Sequence, residues 1–190
     1  MLSVVAMAAG LAILAWILGT LLVEGIGALN WSVFTEMTPP PGEAGGLLNA
    51  IVGSLLIVGV GILIAMPIGV LAGIYLAEYG QRGWLAPLTR FVNDILLSAP
   101  SIVLGLFIYA VYVANVKHFS GWAGSMALAL IAIPVIVRST DNMLMLVPNS
   151  LREAAAALGA PQWKIIVLVT LRAARAGVIT GALLALARIS

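Results

Sequence analysis

Residues 47–77 read LLNAIVGSLLIVGVGILIAMPIGVLAGIYLA, without one charged side chain. A bilayer's hydrocarbon layer is about 30 Å thick, and a helix rising about 1.5 Å per residue crosses it in about 20 residues. This stretch is long enough to cross. Outward from it, Met1 to Leu29 is interrupted only by Glu24, and Ile95 to Ala114 and Gly121 to Val137 carry no charge. Strict period-2 alternation is absent, which argues against a membrane β-barrel. With 63% hydrophobic and 8% charged residues, the chain cannot coat a soluble domain with polar side chains. The fold class is an all-α integral membrane protein, a polytopic helical bundle with four complete spans and the start of a fifth.

Composition also removes several chemistries. There is no cysteine, hence no disulfide, iron–sulfur cluster or thiolate metal site. The only histidine, His118, sits beside Lys117 with no second ligand in reach, so no metal site is expected. No P-loop, Gly-x-Ser-x-Gly elbow or His-Glu-x-x-His motif occurs, so no catalytic residue is assigned and the chain reads as a non-enzyme. A net charge of +2 gives no case for nucleic acid. No Lys or Arg precedes Arg82, so a signal peptide's basic flank is missing. That absence, with the abrupt stop at Ser190, suggests a chain trimmed at one or both ends.

Basic residues orient the bundle. With a cytoplasmic N-terminus, the inward loops at roughly 78–92 and 138–175 hold Arg82, Arg90, Arg138, Arg152, Lys164, Arg172 and Arg175, whereas the outward loops hold only Lys117. The first outward loop, Asn30 to Gly46, carries Glu36, Glu43 and Pro39-Pro40-Pro41. Pro67, Pro100 and Pro134 are each expected inside a span, freeing carbonyls that neighbours must satisfy, with Ser98 and Ser101 placed to help at Pro100. Gly69 with Gly73, and Gly177 with Gly181, are spaced for close helix approach. Arg90 and Asp94 are four apart and expected to pair on one helical face. Asp141 is expected at the interface, and Glu24 and Glu78 in reach of lipid headgroups.

The inward segment after the fourth span is the most organised. Pro148-Asn149 stops a helix, and Ser150-Leu151-Arg152-Glu153 has the form of a capping box. The run from Ala154 to Leu158 favours a short helix, Gly159 suits its left-handed end, and Pro161 opens a second helix through Gln162, Trp163 and Lys164. Such a short helix either lies among the lipid headgroups or projects into a partner's groove; its alanine-rich run, with few bulky apolar side chains, favours the groove.

Glu153-Ala154-Ala155, three residues, then Gly159 resembles the EAA loop of binding-protein-dependent ABC importer permeases. Val169 and Leu171 continue that pattern, although Arg172 stands where the family has proline. Residues 99–107, APSIVLGLF, resemble a segment of the phosphate-importer branch, and 187–190, ARIS, resemble the lead-in to that branch's Gly-Glu-Thr-Ala-Pro segment. The likeness is strongest over 47–190. It implies a MetI-like permease fold, divided into 1–46 (first helix and periplasmic loop) and 47–190 (permease core, with a cytoplasmic coupling loop at about 141–172). It implies a permease subunit of an ATP-driven importer of inorganic phosphate in the bacterial inner membrane. Implied partners are cytoplasmic ABC ATPase subunits, a second homologous permease, a periplasmic phosphate-binding protein and membrane lipid. No cofactor is expected in this chain, ATP and Mg being bound by the ATPase subunits. Glu153, Ala154, Ala155 and Gly159 would couple to the ATPase.

Arg188 lies about 22 Å along a fifth helix entering near Ala173, too deep to reach the entry surface easily. Either it lines the translocation path with Ser98 and Ser101, its guanidinium fork suiting phosphate oxygens, or it pairs with a carboxylate on another helix. A permease for molybdate, sulfate or a similar solute, a secondary transporter and a membrane scaffold remain the competing functions.

Overall fold

The computed structural model describes residues 2–80 and 83–190, so Arg82 lies outside the described residues. It divides into two units, one extending to Val52 and one from Gly53 to Ser190. In the first, α1 (Leu2–Ala28) is one unbroken apolar helix. Every side chain described along it is exposed. A helix apolar on all sides needs hydrocarbon or another chain around it. The short α2 (Ser32–Thr35) follows, and the loop after it closes on itself. The Leu47 amide donates to the Val33 carbonyl at 2.8 Å and the Leu48 amide to the Glu36 carbonyl at 3.1 Å. The Thr38 amide and hydroxyl both donate to Asn49 Oδ1, at 3.0 and 2.8 Å. Gly46 lies so close to the Ser32 and Glu36 carbonyls that any Cβ would collide.

The second unit is built around α6 (Gly121–Met145), whose Ala132, Ile136, Thr140 and Leu144 are wholly buried. Against one side packs α3 (Leu48–Glu78), burying Gly61, Ala65, Gly69, Gly73 and Leu76. Gly61, Ala65, Gly69 and Gly73 recur four residues apart, which lets backbones touch where lipid gives apolar faces no reason to associate. A Cβ on Gly69 would stand 2.7 Å from Ile136 Cβ, and one on Gly73 would stand 2.5 Å from Thr140 Cβ. Against α6 also packs α8 (Gln162–Ile189), with Gly177 on Met143 and Gly181 on Ser139, each too close for a side chain. Both expected glycine pairs therefore lie in helix contacts.

Two expected spans differ in shape. The third is a bent pair, α4 (Leu85–Ser98) and α5 (Ser101–Val116), meeting at 106°. Pro100 has no N–H and drives Ala99 into an extended conformation (φ −68°, ψ 133°), so one helix stops and the next restarts with Pro100 as its N-cap. Pro100 thus stands between helices, whereas Pro67 and Pro134 lie inside α3 and α6. The fifth is a full-length helix that begins at Gln162, well before Ala173, and passes through a wider π-turn at Ile165–Thr170.

Candidate functional site

The hairpin joining α6 to α8 is the most polar part of the second unit. Its helix α7 (Asn149–Ala157) starts two residues earlier than a Ser150–Glu153 capping box requires. Pro148, extended at φ −59° and ψ 140°, is the N-cap, which puts Ser150 inside the helix. The Ser150–Glu153 box is therefore not formed. The far end matches the sequence: Gly159 has φ +77°. Its amide donates to the Ala156 carbonyl at 2.9 Å, and the Ala160 amide donates to the Ala155 carbonyl at 3.2 Å. This paired closure needs a left-handed residue at its centre, where glycine has no Cβ to strain. Pro161 then caps α8, receiving the Lys164 amide at 2.9 Å.

Glu153, Ala154 and Gly159 are exposed, and Ala155 is half-buried. Leu158 at the tip is 89% exposed and Trp163 61%, with the Lys164 ammonium 5.5 Å from the Trp163 ring centre. The outer surface of the hairpin thus presents one carboxylate, a strip of alanines, a bare leucine and a cation-topped indole.

The inner surface is held by Arg152, which sequence reasoning passed over. Its guanidinium donates to Glu78 Oε1 at 3.0 Å, to the Leu144 and Val147 carbonyls at 2.9 Å each, and to Asn149 Oδ1 at 2.9 Å. Leu144 and Val147 belong to the last turn of α6 and its exit, where carbonyls lack helical partners and a cation meets the negative end of the dipole. The Glu78 side chain is only 8% exposed. It is a buried ion-pair partner, and not the headgroup-reaching residue its position at the end of a span suggests.

Two further ion pairs link α4 and α6. Arg90 pairs with Asp141 at 3.3 Å, and Arg138 with Asp94 at 3.8 Å. The local Arg90–Asp94 pair is not formed. Asp141 is 3% exposed and not interfacial, and a buried carboxylate needs a cation more than an exposed one does. Arg90 is therefore taken by the deeper partner. Asn93 and Thr140 are buried beside these pairs.

Arg188 is exposed, and among the described residues no hydrogen bond or ion pair engages it. Its neighbour Ile189 packs with Ala65, Ala132 and Ile136, near the midpoints of α3 and α6. Ser98 and Ser101 stand on either side of the bend, both exposed, and Ser98 Oγ donates to the Ile95 carbonyl at 3.0 Å. His118 is exposed in its loop.

The family model for the binding-protein-dependent transport system inner membrane component matches residues 69–189. That stretch contains the hairpin, all three ion pairs and Arg188. The chain belongs to this family. It is 64% identical over its whole length to the phosphate transport system permease protein PstA of Pasteurella multocida, covering 68% of that protein. It is 61% identical to PstA of Haemophilus influenzae, covering 67%, and 57% identical to PstA of Yersinia pestis, covering 64%. The chain thus spans about two thirds of the length of these curated relatives. Among solved structures, the inward-facing MetNI methionine ABC transporter superposes with TM-score 0.69 at 24% identity, over 75% of this chain and 69% of the other. A second crystal form gives TM-score 0.61 at 26% identity, over 76% and 68%. The likeness shows the MetI-like permease fold expected from the sequence.

Proposed function

We propose that this chain is a permease subunit of an ATP-driven importer that carries inorganic phosphate across the bacterial inner membrane. The observation that carries the reading is the hairpin: an exposed helix closed by a glycine turn and pinned rigidly to a spanning bundle. Its outer surface, with Glu153, Ala154, Ala155 and Gly159, suits a cleft on a cytoplasmic ABC ATPase. The ATP and Mg belong to that ATPase, and this chain contributes no catalytic residue. Phosphate as solute is supported by similarity, along the whole of this chain, to about two thirds of three phosphate permeases. A second homologous permease and a periplasmic phosphate-binding protein complete the proposed assembly.

The hairpin end faces the cytoplasm in this reading. Arg90, Arg138, Arg152, Lys164, Arg172 and Arg175 gather there, while Lys117 stands in an opposite loop. The core runs over 47–190, with the coupling loop at about 141–172 and the first helix and periplasmic loop over 1–46. When the ATPase pair closes on ATP, the hairpin moves with it and the bundle exchanges one open side for the other, an alternation between two states that ligands bias. Arg188, unpaired at mid-depth, is available to draw the phosphate oxyanion along a path that Ser98 and Ser101 border. An unpaired charge at that depth is costly facing lipid but not facing water.

The test is phosphate-dependent ATP hydrolysis by the reconstituted complex. Stimulation by molybdate or sulfate but not by phosphate would reassign the solute, and hydrolysis indifferent to all of them would remove the importer reading. Two variants locate the parts. Gly159→Val should insert into membranes yet fail to retain the ATPase on purification, because the turn requires positive φ. Arg188→Gln should assemble normally and lose most phosphate uptake.

A further inference from the structure

We propose that the Arg152–Glu78 pair is the mechanical joint through which hairpin movement reaches the spanning helix α3. This rests on the importer reading above and deepens it. Arg152 and Glu78 are positioning residues: they touch neither solute nor nucleotide.

The argument is one of connectivity. α7 has nine residues, none of them buried, and covalently it leaves α6 through Leu146 to Pro148. A short exposed helix on such a connection would swivel when pulled. The guanidinium of Arg152 prevents this by engaging three places at once: the carbonyl end of α6, the start of α7 itself, and the last residue of α3. Glu78 lies 74 residues away in sequence, so no local contact supplies this link. Both partners are shielded, with 21% of the Arg152 side chain and 8% of the Glu78 side chain exposed. Water therefore does not readily replace either partner, and the pair holds its length under displacement. Adjacent residues divide the work. Arg152 grips the bundle from the inner side of α7, while Glu153 faces out. Through this joint a push on the hairpin moves α3 and α6 together, and those two helices share the glycine-lined contact of the core.

The absence of cysteine from the chain makes a direct experiment possible. In the intact importer, Glu78→Cys and Arg152→Cys are combined, and solute moved per ATP hydrolysed is measured in proteoliposomes. The untethered double variant should hydrolyse ATP while its transport ratio falls several-fold. Bridging the two thiols with a short, reducible bis-thiosulfonate should restore the ratio, and reduction should lower it again. A merely structural pair would lower assembly, hydrolysis and uptake together and leave the ratio unchanged. A ratio indifferent to the tether, or a tether that blocks uptake, overturns the proposal. Should the double variant fail to assemble, Glu78→Gln carries the test. It keeps an acceptor for Arg152 but removes the ion pair; a wild-type ratio, or failure of this variant to assemble as well, overturns the joint equally. If the unmodified importer shows no solute-stimulated hydrolysis, the functional reading has failed, a result distinct from all of these.

Discussion

The contact of α3 with α6 and the seat of the hairpin hold the same helices by opposite means. Midway along the bundle, α3 meets α6 through residues with almost no side chain: Gly61, Ala65, Gly69 and Gly73. At the hairpin end, one long side chain makes four directed bonds, of which one, to Glu78, holds α3 and the other three bind the end of α6 and the start of α7. The first contact depends mainly on shape: among the described residues one side-chain hydrogen bond crosses it, from Ser125 Oγ to the Ile57 carbonyl at 3.1 Å. The second depends on charge and direction, and it fixes one arrangement. Hydrocarbon gives apolar faces no net reason to associate, so close backbone approach does the mid-membrane work. Near the membrane surface, directional bonds can specify where a soluble partner's force is applied.

The largest expected effect comes from the charged side of this comparison. Arg152→Ala leaves Glu78 buried without a cation, at a cost of about 3–5 kcal/mol. In mild detergent its thermal midpoint should fall well below wild type. Adding Glu78→Ala should recover part of the loss, since no charge is then stranded. A double variant as unstable as the single would mean that the carbonyl contacts, and not the ion pair, hold the hairpin. Next comes the shape-held contact. Gly73→Val forces a branched side chain against Thr140 Cβ, costing about 1–3 kcal/mol. Gly53→Ala, where a Cβ meets nothing within 4 Å, is the control and should leave the midpoint unchanged or slightly raised. Equal loss in both would show that the glycines are not there for close approach.

The two regions also differed in legibility. The glycine contacts could be read from spacing alone, because small residues one turn apart leave a periodic mark in the chain. The hairpin's turn was equally visible: Gly159 and Pro161 act locally on φ, and no distant partner is needed. The Arg152–Glu78 joint was not visible, for it spans 74 residues and either residue alone looks like an ordinary surface charge. The same blindness misassigned Arg90. The four-residue rule favours Asp94 on the same helix, but burial of Asp141 sets a stronger demand that appears only once α4 lies on α6. At Pro100 the signal is local: proline restricts the residue before it, which is enough to break a span into two helices at 106°. For Ser98, Ser101 and Arg188, the sequence gives candidate roles, and the structure adds exposure and the mid-bundle level of Arg188.

A third prediction separates buried from exposed charge within one helix contact. Asp141→Asn keeps an acceptor for Arg90 and removes a charge from a buried site. The guanidinium left behind is 39% exposed and can hydrate, so the loss should be about 1 kcal/mol, far below that of Arg152→Ala. Chemical denaturation in detergent micelles measures it. A loss matching Arg152→Ala would mean that Arg90 is held as rigidly as Arg152, and the hairpin would no longer be the specially fixed point.

The smallest effect belongs to the companion pair. Arg138 and Asp94 are 3.8 Å apart with 52% and 61% of their side chains exposed, so water competes for both and salt screens them. Asp94→Asn should change stability by no more than a few tenths of a kcal/mol, a difference that shrinks further as ionic strength rises. The informative experiment is the cycle joining Asp94→Asn with Asp141→Asn. If the pairs act separately, the two losses add, because each charge already has its own partner on the opposite helix. If Arg90 and Arg138 share both carboxylates as one network, the double variant should lose clearly more or less than the sum. That would make the α4–α6 contact a second directed clamp, and the contrast between a shape-held bundle and a charge-held hairpin would have to be redrawn with α4 on the charged side.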